Sequence, residues 1–199
     1  MLPTLTSRQQ FALGLLLALT MILTRPHTLS SVHHLPGTSW AVFFLAGIFI
    51  RRAWPFYAYC GLAAAIDYVA ITFGGVSSFC VTPAYAMLLP AFGTLWLGGR
   101  WYARQHRDSL ATLPRLAVAV VGSAFVAELF SSGGFYFLGG RYAEPTLAEF
   151  LPRLANYFPG MLGAMALYVV AAAVAYAAWA TTQRPDADGP RTLSPGMKR

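Results

Sequence analysis

The residues able to do chemistry in this chain are few, and most of them cluster. Cys80 lies in the stretch Gly74-Gly75-Val76-Ser77-Ser78-Phe79-Cys80-Val81-Thr82-Pro83-Ala84-Tyr85. Two glycines and two serines let such a backbone approach a ligand closely. Thr82-Pro83 reads as a helix start, with threonine as cap and proline at the first position. A cysteine beside a helix N-terminus carries more thiolate, a soft ligand suited to polarisable metals. The bland alternative is a small buried apolar residue, the usual fate of free cysteine, and spacing alone favours it. The second cysteine, Cys60 in Tyr59-Cys60-Gly61-Leu62, reads as packing. The two cysteines form neither a C-x-x-C pair, a zinc pattern nor a disulfide framework.

Asp67 and Glu128 are the only acids inside long apolar runs. An ionisable group at membrane depth is costly, so it faces a cavity or a partner. Asp67, next to the glycine-serine stretch, is read as functional. Glu128 is read as a buried acid satisfied by a neighbouring tyrosine, serine or arginine. His27, His33 and His34 share one loop, but their spacing matches no zinc motif. A solvated loop is the alternative there. His106, among arginines, reads as surface. Arg141 and Arg153 carry planar guanidinium forks suited to anionic groups, with interfacial snorkelling as the alternative.

These residues need elements to hold them. Six apolar stretches approach the length of a membrane helix, about 20 residues. They are Ser7–Thr24, Pro36–Ile50, Trp54–Phe73, Thr82–Gly98, Pro114–Ser131 and Leu154–Ala180. The second is short, Pro90 is expected to bend the fourth, and Pro159 to break or start the sixth. Thr112 is expected to serve the turn before Pro114. Leu147, Phe150, Leu151 and Leu154 recur at helical spacing and predict a short interfacial helix, bland or acting as a lid, with Arg153 on it. Gly14 and Ala18 form a small-x-x-x-small pair suited to close helix contact. The first run lacks a clean cleavage site and reads as a retained span.

Composition agrees. Of 199 residues, 57% are apolar and 11% charged, too few charges to cover a soluble domain. Mean hydropathy is +0.54. With six spans both ends share one side. That side holds Arg8, Arg51, Arg52, Arg100, Arg104, Arg107, Arg115, Arg184, Arg191, Lys198 and Arg199. The other side has only Arg25, Arg141 and Arg153, diluted by Glu144 and Glu149. The positive-inside rule puts both termini in the cytoplasm. The net charge of +7 is thus a topology signal and not a nucleic-acid footprint. Residues 1–182 read as one six-helix transmembrane domain. Residues 183–199, rich in proline, glycine and charge, read as a disordered cytoplasmic tail.

Six short spans, cytoplasmic ends and enlarged outer loops resemble the substrate-binding S-component of energy-coupling-factor (ECF) vitamin transporters. The stretch Gly74 to Tyr85, with Asp67-Tyr68 before it and Arg153 after it, is similar to the BtuM family of cobalamin (vitamin B12) uptake proteins of Gram-negative bacteria. The resemblance implies an all-α, multi-pass transporter of the bacterial inner membrane that takes cobalamin from its periplasmic face. It implies that Cys80 ligates the cobalt, displaces dimethylbenzimidazole and favours loss of cyanide, a decyanation that would make the protein part enzyme. Asp67, Tyr85 and Arg153 would then hydrogen-bond the corrin amides or the nucleotide loop. Ser77, Phe79 and Tyr68 complete the binding set that it implies. The partner is an ECF module or none.

Three other readings stay open. An S-component for riboflavin or biotin would make Cys80 incidental. A membrane thiol oxidoreductase would want a paired C-x-x-C, and a serine hydrolase a histidine inside a span, and both are absent. A purely structural subunit would bind no small molecule tightly.

Overall fold

The computed structural model describes residues 5–25, 36–107 and 109–182 of the chain. All regular structure among them is helical. Helix α1 (Ser7–Thr24) starts at a capping box, in which the Thr6 hydroxyl accepts from Gln9 N–H and the Gln9 side chain accepts from Thr6 N–H. Helix α2 (Ser39–Phe49) is short, and every residue from Ser39 to Gly47 is buried. A helix apolar all round belongs in the middle of a bundle. Helix α3 (Trp54–Phe73) opens with Pro55 in its first turn, and α4 covers Leu88–Gln105. Helix α5 (Leu113–Glu128) runs through a π-helical turn, Leu129–Gly133, into α6 (Gly134–Leu138). Helix α7 covers Leu147–Thr182.

The helices alternate in direction. At one end Arg25, closing α1, donates to Ser39 at the start of α2 and to Asp67 near the end of α3. At the other end Arg51 N–H donates to Gln10 Oε1 of α1, and Arg100 of α4 donates to the carbonyl of Arg51 at 2.7 Å. The closest helix pair is α2 on α4. A Cβ on Gly47 would stand 2.2 Å from the Trp96 carbonyl oxygen, and one on Gly99 2.1 Å from that of Phe44. Phe43 stacks on Phe92 across the same seam, centroids 4.1 Å apart. Small residues allow this approach, the usual device where lipid supplies no hydrophobic drive between helices.

Three helices are long and apolar enough to cross a membrane: α3, the α5–α6 rod Leu113–Leu138, and α7. Outward faces carry Leu15, Leu16, Val118, Val121, Val170 and Val174 exposed. Exposed aliphatic side chains in this number, on helices this apolar, belong against lipid.

Several expectations change. The amphipathic stretch from Leu147 is no separate interfacial helix. It is the first turns of α7, which passes both Pro152 and Pro159 without ending. Of its four leucine and phenylalanine positions, only Phe150 and Leu154 are buried. Thr82 caps no α-helix. Residues Pro83–Met87 form a 3-10 turn closed by Tyr85 N–H on the Thr82 carbonyl, and α4 begins five residues later than expected from Pro83. Pro90 then falls in the first turn of α4, where its missing N–H costs nothing, so it has no ladder to break. The Thr112 hydroxyl accepts from Arg107 N–H in the preceding loop instead of capping α5. His106 is not simply surface: its Nδ1 stands 2.8 Å from the Tyr102 hydroxyl, and its ring packs on Tyr176. Cys60 packs against the core, as expected. The loop histidines His27, His33 and His34 and the tail 183–199 lie outside the described residues.

Candidate functional site

The end of α3 fixes the site. Gly75, with φ at +67°, takes the left-handed conformation that terminates a helix, and both Gly74 N–H and Val76 N–H bond the Ala70 carbonyl. The glycine pair therefore ends α3 and turns the chain back toward the bundle. A 3-10 turn follows at Ser78–Cys80, whose first N–H groups include Phe79 N–H bonded to Ser77 Oγ at 3.2 Å. The Pro83–Met87 turn then carries Tyr85 toward α3.

Asp67 sits at the centre of a polar knot. Arg25 grips its carboxylate with two parallel bonds, Nε to Oδ1 and Nη2 to Oδ2, both 2.6 Å. The third Arg25 nitrogen donates to Ser39 Oγ at 2.7 Å. The Tyr85 hydroxyl donates to Asp67 Oδ2 at 2.7 Å. Bidentate arginine–carboxylate geometry is the strongest form of this pairing and fixes both planes. Four helical elements are thus tied at one point. The arginine partner satisfies the Asp67 carboxylate, yet the residue also borders a cavity. The pair is partly buried, with side chains 14% and 27% exposed. Arg25→Gln is therefore expected to lower the stability of the detergent-solubilised protein by about 1–3 kcal/mol, below the cost of breaking a deeply buried pair. Thermal melting measures it, and Arg25→Gln combined with Asp67→Asn should recover part of the loss.

The cavity above this knot measures about 450 Å3 and is open on one side. Asp67, Phe79, Tyr85 and Arg153 line it, together with Ala84, Leu88, Ser131, Ser132, Phe135, Tyr136, Tyr142, Phe150 and Tyr157. Its volume falls inside the usual range for small-molecule sites, about 300–1,000 Å3. Arg153, on α7, donates from Nη2 to the Tyr142 hydroxyl at 2.5 Å and lies over the Tyr142 and Tyr136 rings. Tyr136 is held in turn, donating to Glu149 Oε2 at 3.0 Å and stacking on Phe150. Arg141, outside the cavity lining, lies 4.8 Å over the ring of Phe79, which leans on Phe135. The cavity wall is thus largely aromatic, with Arg153 on it and Arg141 behind Phe79.

Neither a family model nor a curated protein matches this chain.

Four residues singled out in the sequence therefore meet on one cavity, and others do not. Tyr68 is 67% exposed and does not line it. Ser77 serves the 3-10 turn through its hydroxyl. Cys80 is the last residue of that turn, directly after Phe79, and Val81 N–H closes it on the Ser78 carbonyl. The helix-dipole argument for its thiolate loses its footing, since no α-helix starts beside it. Glu128 is buried, as expected of a satisfied acid, and accepts from the Ser132 hydroxyl. Sequence reasoning missed Ser131, Ser132, Tyr142 and the aromatic wall. The π-helical turn after Glu128 is the reason. It inserts extra residues into the helical register, a device common at binding sites, and Ser-Ser-Gly-Gly at 131–134 was its only sequence trace.

Among the described residues no three His, Cys, Asp or Glu side chains gather closely enough to hold a metal ion. A metal arriving inside a macrocycle needs no such group, because the ring supplies the equatorial ligands and the protein one axial ligand.

Proposed function

We propose that this chain is a six-span, S-component-like transporter of the BtuM kind. Both termini lie in the cytoplasm of a bacterial inner membrane, and the protein captures cobalamin from the outer face and passes it inward. The observation that carries this reading is the convergence of Asp67, Phe79, Tyr85 and Arg153 on one cavity next to Cys80 in the chain. Those residues come from three separated parts of the chain: α3, the turns that precede α4, and α7.

The chemistry divides among them. Cys80 supplies one axial ligand to the corrinoid cobalt, in place of dimethylbenzimidazole. Coordination itself strips the proton from a thiol, so no helix dipole is required. The electron density that sulfur donates weakens the bond on the opposite face, where cyanide leaves as an anion with its bonding pair. Arg153 supplies donors and, with Arg141 behind Phe79, positive charge for amide oxygens and the phosphate of the nucleotide loop. The aromatic wall covers the apolar edge of the ring. A whole corrinoid exceeds the cavity, so the reading has one edge of the ring inside and the remainder standing in the open mouth. Helices α1, α2 and α4 count as spans in this reading because all six run in alternating directions and share the charge asymmetry.

The test is direct. Protein purified in detergent and incubated with cobalamin should retain corrinoid absorption through gel filtration, with bands shifted from those of the free vitamin. Riboflavin and biotin should not be retained. A colourless protein after incubation with aquocobalamin and cyanocobalamin would overturn the reading.

A further inference from the structure

A second cavity lies at the opposite end of the molecule. It is a groove of about 340 Å3 between α1 and α3. Its apolar walls include Phe11, Leu15, Trp54 and Leu62, and its polar end is made by Ser7, Gln10 and Arg52. Phe11, Leu15 and Trp54 are more than half exposed, so no part of the described chain covers them. From Ser7 to Ala18, both of which line it, the groove runs roughly 16 Å at 1.5 Å per residue. That is about half of a hydrocarbon core of about 30 Å, the depth of one leaflet.

The polar end is strongly basic. Arg51 is held there by its N–H bond to Gln10 Oε1, and Arg8 follows Ser7 on α1. Arg8, Arg51 and Arg52 are all exposed, and no ion pair to any of them occurs among the described residues. The sequence places no acid within residues 5–66, so no carboxylate on α1, α2 or the connecting turn neutralises them. Arg100 beneath them is committed to backbone carbonyls of residues 50–52.

We propose that this groove holds one anionic phospholipid of the cytoplasmic leaflet, its acyl chain between α1 and α3 and its phosphate at Arg51 and Arg52. Charge complementarity chooses this occupant over a zwitterionic lipid or a second copy of the chain. A leaflet-deep apolar slot ending in exposed arginines that form no ion pair among the described residues matches an acyl chain ending in an anion. A second copy would bring the same arginines to the seam and set like charges together. The inference rests on the membrane orientation in the proposed function but not on cobalamin.

Native mass spectrometry of the detergent-solubilised protein tests it, with phosphatidylglycerol and phosphatidylcholine of identical acyl chains. Wild type should retain phosphatidylglycerol preferentially. Arg51→Gln with Arg52→Gln should lower its retention about thirtyfold, at about fivefold per arginine near the surface. Ala58→Phe, at an exposed groove position, should lower retention of both lipids by filling the slot. Arg104→Gln with Arg107→Gln, at the same end but off the groove, should change nothing. Equal retention of the two lipids by wild type, or unchanged phosphatidylglycerol retention in the Arg51/Arg52 variant, would refute the site. A dimer that Ala58→Phe dissociates would give the groove to a second copy, and also refute it. Cobalamin titration of the same variants separates the two ideas: unaltered corrinoid binding beside lost lipid binding supports both, and corrinoid failure in wild type leaves the lipid result standing.

Discussion

A Cys80→Ala variant is expected to bind cobalamin with dimethylbenzimidazole still on the cobalt, and to lose the shifted corrinoid spectrum that wild type acquires. The expected fall in affinity exceeds the roughly 10–100-fold that loss of a merely supporting group costs a metal site, because a first ligand is removed. Cys80→Ser should not restore the spectrum, since a hydroxyl is a harder and far less acidic ligand than a thiol. Ligation releases the thiol proton, so protons compete with cobalt for the sulfur and wild-type affinity should rise with pH. In Cys80→Ala that pH dependence should vanish. Asp67, Tyr85 and the aromatic wall are untouched by the change, so residual binding should persist. Visible absorption and a titration at several pH values read all three effects. A variant with the wild-type spectrum would remove sulfur from the cobalt.

How much of this was legible beforehand depends on the kind of signal. Length and hydropathy carried α3 with its bounds intact, because a helix surrounded by lipid needs only sustained apolarity. Apolar composition also placed α2, but not its burial from Ser39 to Gly47, which follows from packing against α4. Proline was read too strongly. Pro152 and Pro159 sit inside α7, where the apolar run outweighs two missing ladder bonds. At the site, unusual residues were easy to see and common ones were not. An aspartate in an apolar run stands out, while Tyr142 and Phe135 look like any other aromatic until Arg153 and Phe79 are found against them. The Arg25 partner of Asp67 lies 42 positions away, a pairing that no local pattern encodes. The π turn that brings Ser131 and Ser132 to the cavity changes register by geometry alone.

Gly47→Val is expected to abolish the folded protein or lower its melting temperature more than any other single change proposed, and Gly99→Val should do the same. In an isolated helix, replacing glycine helps, by up to about 1 kcal/mol for alanine. Gly61 offers that case here: nothing lies within 4 Å of its Cβ position, so Gly61→Ala should be neutral or mildly stabilising. At Gly47 the new Cβ would fall 2.2 Å from the Trp96 carbonyl oxygen, and at Gly99 2.1 Å from that of Phe44. Both obstacles are backbone, so no rotamer change relieves them. Overpacking a core typically costs about 1–3 kcal/mol, and a clash that must separate two helices belongs above that range. Separation would also pull apart the Phe43–Phe92 stack on the same seam. The effect reaches the cavity, because α4 begins where the Tyr85 turn ends and α2 begins at Ser39, which Arg25 holds beside Asp67. Melting curves in detergent for the Gly47, Gly99 and Gly61 variants give the comparison. Opposite signs at Gly61 and Gly47 would show that the seam, and not helix propensity, is what these glycines serve, and that the knot around Asp67 stands on it.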